Sequence, residues 1–544
     1  MSRGEKRSCG LALVLAAVFV FVLSAGPARG ATPTTLHGGA YGFPDYLDPQ
    51  LSYSTEGWMA MYDTYVPLLT YRHAGGRAGS DIVPGLARDL PTVSDGGRTY
   101  TLFLRSGLRY SDGTRVRASD FEFTIERLFK LYSGGAPFYL DIAGARKFER
   151  TGKGGIGGIV TNDRSGKIVI HLVRPRGTFV DTLALLFAAP VPPSTPTENQ
   201  SLEPPPATGP YAIAGVTPGV GWTYERNPEW GSNNGPLMPG LPAGHVDRIE
   251  IGVVRGGAAQ VRQVEGGRLD WMLGSPPSDL RGKLRRRYAG TQFRADPMLG
   301  TDYFWMNTDT PPFDDRRVRE AVNLAVDPLA LARISGGEVQ PIQQILPPGM
   351  PGYERFKLYP FNPVKARRLI AAADPADREI TVWTDTESPN FEAAAYYRRQ
   401  LRKLGFTVHL KVVSAIAYFS VIGNARTPNL DTGWANWFAD YAHPADFFEP
   451  LLSGAAIHPF ESSNFGRIDV PSLSSKIAAL GKARLGPSQE RQYGALDRSF
   501  MRLAPWVPYG TPTWSTFVSS AVDLDKLIWN PLFGTDLTSF RLSP

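Results

Sequence analysis

Residues 85–116 have the pattern of two consecutive β-hairpins. In the predicted strand 99–105, apolar side chains recur at every second position, namely Tyr100, Leu102 and Leu104. Gly96-Gly97 before this strand and Asp112-Gly113 after it supply the positive-φ residues that tight turns need. The segment therefore requires an antiparallel sheet in the first part of the chain.

The rest of the sequence predicts helices and a division of the chain into several parts. At 544 residues the chain is too long for one hydrophobic core, and its length predicts about three domains or two large lobes. Seven prolines within 190–206 exclude a helix or a central strand there and predict a connector. Helical spacing predicts a helix over 120–132, with Ser119 and Glu122 as its capping box.

Beyond residue 300, strand and helix patterns alternate. An apolar run at 302–308 suits a buried strand, and the helix after it has Asp314 or Asp315 as its predicted N-cap. Asn362-Pro363 is predicted to start another helix. This order is typical of an α/β protein.

Residues 1–30 have the three-part plan of a secretory signal peptide. Basic residues precede an uncharged apolar run from Leu11 to Ala25, and cleavage is expected next to Ala31. The run is shorter than the ~20 residues of a spanning helix, which favours cleavage over an uncleaved anchor. The only cysteine, Cys9, precedes the run, so a lipobox cysteine is missing and the mature chain would have no disulfide. We expect export to the periplasm or to the extracellular face of the cell membrane.

Composition and charge are those of a soluble globular protein. Hydrophobic residues make up 42% of the chain and charged residues 20%, and the formal net charge is +7. The densest basic cluster, within 283–287, has no interleaved aromatic pattern and no recognisable nucleic-acid motif beside it. We interpret it as a solvated surface and predict no nucleic-acid partner.

The sequence offers no signature of an enzyme. It contains neither a Gly-x-Ser-x-Gly elbow nor a Ser-x-x-Lys pair nor a Walker phosphate loop. The seven histidines are scattered, which favours packing or surface roles, although the sequence leaves open a metal site assembled from distant histidines. We therefore predict no catalytic residues, no metal and no cofactor.

A series of short motifs runs through the chain in a fixed order. They are Leu86-Ala87, Ser94-Asp95-Gly96, Leu104-Arg105, Asp112-Gly113, Thr208-Gly209-Pro210-Tyr211, Gly267-Arg268-Leu269-Asp270, Pro312-Phe313-Asp314-Asp315 and Ala504-Pro505. In content and order the series resembles the extracellular solute-binding proteins of family 5, the peptide and nickel receptors of ATP-driven importers. The resemblance covers nearly the whole mature chain.

The resemblance implies an α/β fold of the periplasmic-binding-protein type II kind, with two lobes in three domains and a ligand cleft between the lobes. Domain I would comprise 32–75, 205–298 and 508–544. Domain II would be the insertion 76–204 in the same lobe, and domain III, residues 299–507, would form the other lobe.

Segment 434–448 resembles the family's Gly-Trp-x-Ala-Asp-Tyr-x-Asp-Pro-x-x-Phe motif, although His443 stands where many members have an acid. By that match Asp440 pairs with the α-amino group of a bound peptide. Its neighbours would line the ligand, namely Trp434, Asn436, Trp437, Phe438, Ala439 and Tyr441. A carboxylate in a water-poor cleft stabilises an ammonium by a charge-assisted hydrogen bond. The alternative is that Asp440 caps the turn before Pro444 and that the aromatic residues belong to the core.

Segment 47–58 resembles the family's Leu-Asp-Pro start, whose following loop reaches the ligand. Tyr53, Glu56 and Trp58 are the candidate contacts there, with simple packing as the alternative for each.

The resemblance implies a monomeric receptor that captures short peptides and delivers them to a permease with ATP-hydrolysing subunits. Its work would be binding and hinge closure without covalent chemistry. Three alternatives stay open at this point: a non-peptide solute such as a metal chelate or an oligosaccharide, a secreted hydrolase, and a surface adhesion or signalling module.

Overall fold

The computed structural model of the protein describes residues 34–543. The predicted signal peptide 1–30 and its cleavage position lie outside the described residues. Within 34–543, none of the helices combines the length and the apolar character that a membrane span requires. Strands and helices alternate over most of this range, so the predicted α/β class is confirmed.

The strands of the described range are short, apart from one that is twelve residues long. In chain order they are β1 Thr35–Ala40, β2 Leu69–Tyr71, β3 Ile82–Pro84, β4 Thr92–Ser94, β5 Thr99–Phe103, β6 Ile159–Asn162, β7 Lys167–His171, β8 Tyr211–Thr217, β9 Gly221–Arg226, β10 Arg248–Val253, β11 Trp271–Met272, β12 Phe293–Pro297, β13 Gly300–Met306, β14 Val339–Gln340, β15 Glu379–Asp385, β16 Thr407–Val413, β17 Thr432–Phe438, β18 Trp506–Phe517, β19 Trp529–Asn530 and β20 Gly534–Thr535.

The α-helices concentrate in the second half of the chain. They are α1 Thr55–Met61, α2 Ala118–Lys130, α3 Ala145–Thr151, α4 Phe179–Thr182, α5 Gly235–Leu237, α6 Gly257–Glu265, α7 Ser278–Tyr288, α8 Arg316–Ala325, α9 Pro328–Ile334, α10 Pro363–Ala373, α11 Asn390–Lys403, α12 Ala415–Ile422, α13 Ala445–Leu452, α14 Pro471–Leu480 and α15 Pro487–Leu503.

The first lobe contains two main sheets. A five-stranded sheet has the order β11-β1-β10-β9-β8, in which β1 runs parallel to both of its neighbours. A four-stranded sheet has the order β4-β5-β7-β6 and is antiparallel throughout. The predicted hairpin is confirmed, because β4 pairs with β5 and the buried Tyr100 and Leu102 face Ile170 and Ile168 of β7.

The proline-rich connector carries neither helix nor strand between Ala189 and β8, as predicted. A buried ion pair holds it in place. The Arg127 guanidinium donates to both carboxylate oxygens of Asp48, at 2.9 and 2.6 Å, and also to the carbonyl oxygens of Pro196 and Glu198. Helix α2, the Leu-Asp-Pro segment and the connector are thereby joined at one fully buried guanidinium.

The second lobe is built on the sheet β12-β18-β13-β17-β15-β16, with β14 paired to β18. Every residue of β13 is buried, as the apolar run predicts. The predicted caps are also confirmed: Asp315 accepts the Arg317 N–H at the start of α8, and Asn362 accepts the Lys365 N–H at the start of α10.

Two strands position the functional region. β17 pairs with β13 along its whole length and ends at Phe438, next to the first lobe. β18 pairs with β13, β14 and β12 in turn, and Val518 directly after it forms a bridge to Trp271 of the five-stranded sheet. The boundary that we place between 507 and 508 falls inside this strand, and the three-part domain division stays a prediction.

The start of α2 differs from the predicted one. The helix begins at Ala118, two residues early, and the Asp120 carboxylate accepts the Arg117 N–H. Ser119 makes no local cap, because its hydroxyl and its N–H both donate to Asp163. The Ser119–Glu122 capping box is therefore wrong.

Candidate functional site

Asp440 lies in the turn between β17 and α13, at the boundary of the two lobes. The Tyr53 hydroxyl of the first lobe donates a hydrogen bond of 2.7 Å to Asp440 Oδ1. Within the described residues this is the one hydrogen bond that reaches the Asp440 carboxylate. The carboxylate thus faces across the cleft and makes no bond within its own turn.

Two other side chains hold this turn. Asp446 Oδ2 accepts the backbone N–H of Asp440 at 3.0 Å and the indole N–H of Trp437 at 3.1 Å. His443 Nδ1 accepts the Ala445 N–H at 3.0 Å. The capping role that the sequence left open for Asp440 is therefore performed by Asp446 and His443.

Burial alters the titration of all three groups. Burial raises the pKa of the Asp440 carboxyl, with the Tyr53 hydrogen bond opposing the effect. Burial and, after it, the charge of Asp440 raise the pKa of Asp446 well above its usual range. Burial lowers the pKa of His443 to about 3, so this imidazole is neutral at physiological pH. An ammonium in the cleft would favour the charged form of Asp440.

Tyr53 is held by the loop that enters α1. Its backbone N–H donates to Asp45 Oδ2 at 2.5 Å, and Asp45 also accepts the hydroxyls of Ser52 and Ser54. The Tyr53 ring stacks on Trp58 with ring centroids 5.8 Å apart. Although 42% of Tyr53 is exposed, its hydroxyl is therefore aimed at Asp440 by a supported ring.

Three cavities meet at Asp440. A small one of about 100 Å³ lies on the Tyr53 side and is lined by Tyr53, Trp58, Phe438, Ala439 and Asp440 among others. The aromatic cavity, about 440 Å³, is defined by Phe419, Trp437, Phe438, Asp440, Glu461 and Phe465. The mixed-charge cavity, about 630 Å³, is defined by Arg174, Arg176, Asp440, Tyr441, Glu449 and Lys482.

Most of the ligand-binding residues that the sequence predicts line one of these cavities. Eight of them line at least one cavity, namely Tyr53, Trp58, Asn436, Trp437, Phe438, Ala439, Asp440 and Tyr441. Trp434 and Glu56 lie outside the lining of all three. Trp434 is buried and donates its indole N–H to the Tyr509 hydroxyl at 2.9 Å, and Glu56 lies in the first turn of α1.

The structure adds residues that no motif indicated. Phe419 comes from α12, Glu461 and Phe465 come from the segment after α13, and Arg176 and Glu449 face the mixed-charge cavity. Among the site residues that the sequence prediction left out, only Asp446 could have been found from the sequence, because it lies in the same motif as Asp440. The others are brought to the site by the fold of distant segments.

Backbone atoms of β17 are also open to the cleft. Its pairing with β15 ends at Gly433, and on that side the Tyr418 hydroxyl reaches the Trp434 carbonyl at 2.6 Å. Among the described strands, only β13 pairs with residues 435–438. Such an unpaired strand edge can accept an extended chain through main-chain hydrogen bonds.

The lobes touch on both sides of the site. The Ala442 N–H donates to the Tyr71 hydroxyl at 3.1 Å, and the Gly177 N–H donates to the Gly481 carbonyl at 2.7 Å. Each contact joins the first lobe to the turn or helices that follow β17. Contacts between the two lobes therefore flank Asp440 on both sides.

One group in the described range has the composition of a metal site. Asp63, His73 and Asp536 offer ligand atoms within 4.8 Å of one another. His73 Nδ1 lies 2.8 Å from Asp536 Oδ2 and 3.4 Å from Asp63 Oδ1, and Tyr62 stacks on the imidazole at 4.3 Å. This geometry is also that of a hydrogen-bonded histidine that ties the segment after β2 to the carboxyl-terminal segment. None of the three residues lines the cavities at Asp440.

Comparison with known proteins gives concordant results. A family model described as bacterial extracellular solute-binding proteins, family 5 middle, matches residues 81–458. A probable di/tripeptide-binding protein 5 of Pseudomonas aeruginosa is 25% identical over 464 residues, which cover 79% of this chain and 82% of the relative. The glutathione-binding protein GsiB of Escherichia coli O1:K1 is 26% identical over 433 residues, which cover 77% of this chain and 78% of the relative.

The fold is shared with solved structures. The clavulanic acid biosynthesis oligopeptide binding protein 2 superposes with a TM-score of 0.81 at 25% identity, over 94% of this chain and 95% of the other. The unliganded open form of the murein tripeptide binding protein MppA superposes with a TM-score of 0.79 over 94% of this chain. The predicted two-lobed fold of the periplasmic-binding-protein type II kind is confirmed.

Proposed function

The chain belongs to family 5 of the bacterial extracellular solute-binding proteins, and from that premise we propose that it captures short peptides by their free amino terminus. Members of this family are transport receptors and not enzymes, which removes the hydrolase alternative. We propose further that the chain is exported, acts in the periplasm or at the outer face of the membrane, and delivers its ligand to a permease driven by ATP-hydrolysing subunits. The names of the relatives, di/tripeptide-binding and glutathione-binding, support a peptide ligand.

The observation that carries the proposal is the Asp440 carboxylate, which forms no ion pair within the described residues. It stands at the meeting point of three cavities, and the neutral Tyr53 hydroxyl is its hydrogen-bond donor. A ligand ammonium would supply the charge-assisted bond that this carboxylate lacks. This placement supports the anchor role of Asp440.

The open edge of β17 supports the same ligand class. Main-chain groups recognise a peptide backbone whatever its side chains, so an edge beside an ammonium anchor suits short peptides of varied sequence. Residues 435–438 end two positions before Asp440. An extended peptide that is anchored at Asp440 can therefore lie along this edge.

The experiment is titration calorimetry of the mature chain with a dipeptide-to-pentapeptide library. Each peptide is compared with its N-acetylated form, which keeps the backbone and removes the ammonium. We expect the free peptides to bind and acetylation to abolish most of the affinity. Asp440→Ala should weaken binding by about 2–5 kcal/mol, the range for losing one partner of a buried charge pair.

Asp374→Asn is the matched control, because this exposed carboxylate lines none of the three cavities and, within the described residues, pairs only with Arg378. Equal affinity for free and acetylated peptides would overturn the anchor role of Asp440. Native mass spectrometry of freshly purified protein separates the peptide proposal from a metal chelate or an oligosaccharide by the mass of the co-purifying ligand.

A further inference from the structure

The aromatic cavity beside Asp440 has walls suited to a long side chain with a cationic end. Phe419 and Phe465 face each other with ring centroids 6.0 Å apart and an interplanar angle of 30°. Trp437 and Phe438 complete the wall toward Asp440, and Phe438 and Phe419 are 42% and 43% exposed. Such partly exposed rings leave their π-faces available to a ligand.

The charges of this cavity have one sign. Its lining includes two carboxylates, Asp440 and Glu461, together with serines and one asparagine, and it includes no lysine, arginine or histidine. The mixed-charge cavity on the other side of Asp440 differs, since Arg174, Arg176 and Lys482 line it. Of the two larger cavities, only the aromatic cavity therefore combines aromatic walls with carboxylates and no cationic side chain.

Glu461 is available to a ligand. Its side chain is exposed, and within the described residues it forms no ion pair. Arg426 stacks over the ring of the preceding residue, Phe460, at 5.0 Å. Glu461 also has a φ of +55°, a left-handed conformation that is uncommon for a residue with a side chain. The loop thus holds a carboxylate at the cavity at some conformational cost.

We propose that the aromatic cavity is a specificity pocket for a basic side chain, with arginine preferred over lysine. The methylene stem would pack on Phe419 and Phe465, the planar guanidinium would stack on an aromatic face, and Glu461 would pair with it. Asp440 would at the same time hold the peptide's amino terminus. This inference rests on the proposed function and makes the ligand class cationic short peptides.

The test compares tripeptides that differ in one residue, with arginine, citrulline, lysine or leucine placed at each position in turn. Citrulline has the shape of arginine without its charge, so it isolates the electrostatic contribution. At one position we expect arginine to bind at least about fivefold more tightly than citrulline, as an aromatic and carboxylate environment provides. Glu461→Gln should reduce that ratio to within about twofold and leave the affinity for the citrulline peptide unchanged.

Glu392→Gln is the matched control, since Glu392 is exposed in the first turn of α11 and lines none of the three cavities, and it should preserve the arginine preference. Phe419→Ala should weaken arginine and citrulline peptides alike. If peptides bind but arginine and citrulline are equivalent at every position, the specificity pocket is refuted while the peptide receptor stands. If no peptide binds, both proposals fail.

Discussion

The Tyr53 hydroxyl donates to Asp440 Oδ1 at 2.7 Å, and these two residues belong to different lobes and lie 387 positions apart in the chain. The carboxylate that we propose to bind the ligand is thus in contact with the opposite lobe. This bond links the two lobes at the cleft, and it must be rearranged if an ammonium is to pair with the same carboxylate oxygen.

Tyr53→Phe is expected to shift the ligand-free protein toward the open form. Losing a hydrogen bond worth about 1 kcal/mol changes the ratio of open to closed molecules about fivefold. Single-molecule energy transfer between cysteines at Tyr132 and Ile416, which are 91% and 99% exposed, would report the change. Cys9→Ser leaves no other cysteine to label. An unchanged distance distribution in Tyr53→Phe, with Tyr46→Phe as the control, would contradict the prediction.

Peptide binding is expected to release protons. Since burial raises the pKa of Asp440, part of the ligand-free protein carries this proton at mildly acidic pH, and an ammonium favours its loss. Affinity should therefore fall with decreasing pH at values above those at which an exposed aspartate titrates. Calorimetry in buffers of different ionisation enthalpy measures the protons released. Asp440→Asn should show neither the release nor this pH dependence, and a flat profile in the wild type would disprove the linkage.

Asp302→Asn is expected to stabilise the protein at neutral and alkaline pH. Burial and, after it, repulsion by Glu338 raise the pKa of Asp302 to about 8. The folded state therefore binds a proton that the unfolded state has lost, so this group destabilises the fold progressively as pH rises from about 4 to 8. Asp302 should lower the free energy of unfolding of the wild type by about 1.4 kcal/mol per pH unit in this range, and the variant should lack this contribution.

Denaturant unfolding at a series of pH values measures this slope. Asp374→Asn, an exposed carboxylate, should leave it unchanged. Parallel stability curves for the wild type and Asp302→Asn would show that Asp302 titrates normally.

Arg127→Met is expected to destabilise the first lobe by about 3–5 kcal/mol. The change leaves the fully buried Asp48 carboxylate without its partner and frees the carbonyl groups of Pro196 and Glu198. The double variant Asp48→Asn/Arg127→Met should recover part of the loss, because it removes the unpaired charge. Equilibrium unfolding of the wild type, the two single variants and the double variant measures the coupling, and full additivity of the two substitutions would argue against the pairing.

Interactions between residues that are close in the chain made much of the secondary structure predictable. Asp315 and Asn362 cap their helices as expected because a cap depends on residues two or three positions away. The start of α2 was missed for the opposite reason, since Ser119 bonds to Asp163, 44 residues on. Contacts of that range have no signature in a single sequence.

The candidate site also depends on contacts between distant residues, which a single sequence does not reveal. The motif around Asp440 was sufficient to locate the carboxylate, but not its bond to Tyr53, which exists only because the lobes meet. Trp434 and Phe438 lie on the same face of β17, yet Trp434 is covered by Tyr418 and Tyr509 whereas Phe438 lines two cavities. The alternation of side chains along a strand predicts which face of the sheet a residue lies on, but it does not predict how deeply that residue is buried. Phe419, Glu461 and Phe465 come from segments without any motif.

β18 makes closure of the cleft an elastic process. This strand is hydrogen-bonded to the second lobe's sheet at its start and reaches the five-stranded sheet of the first lobe through Val518 at its end. A rotation of one lobe against the other therefore has to twist a continuous, hydrogen-bonded strand instead of bending a slack loop. We therefore expect the strand to resist large opening angles and to return the two lobes to their starting angle.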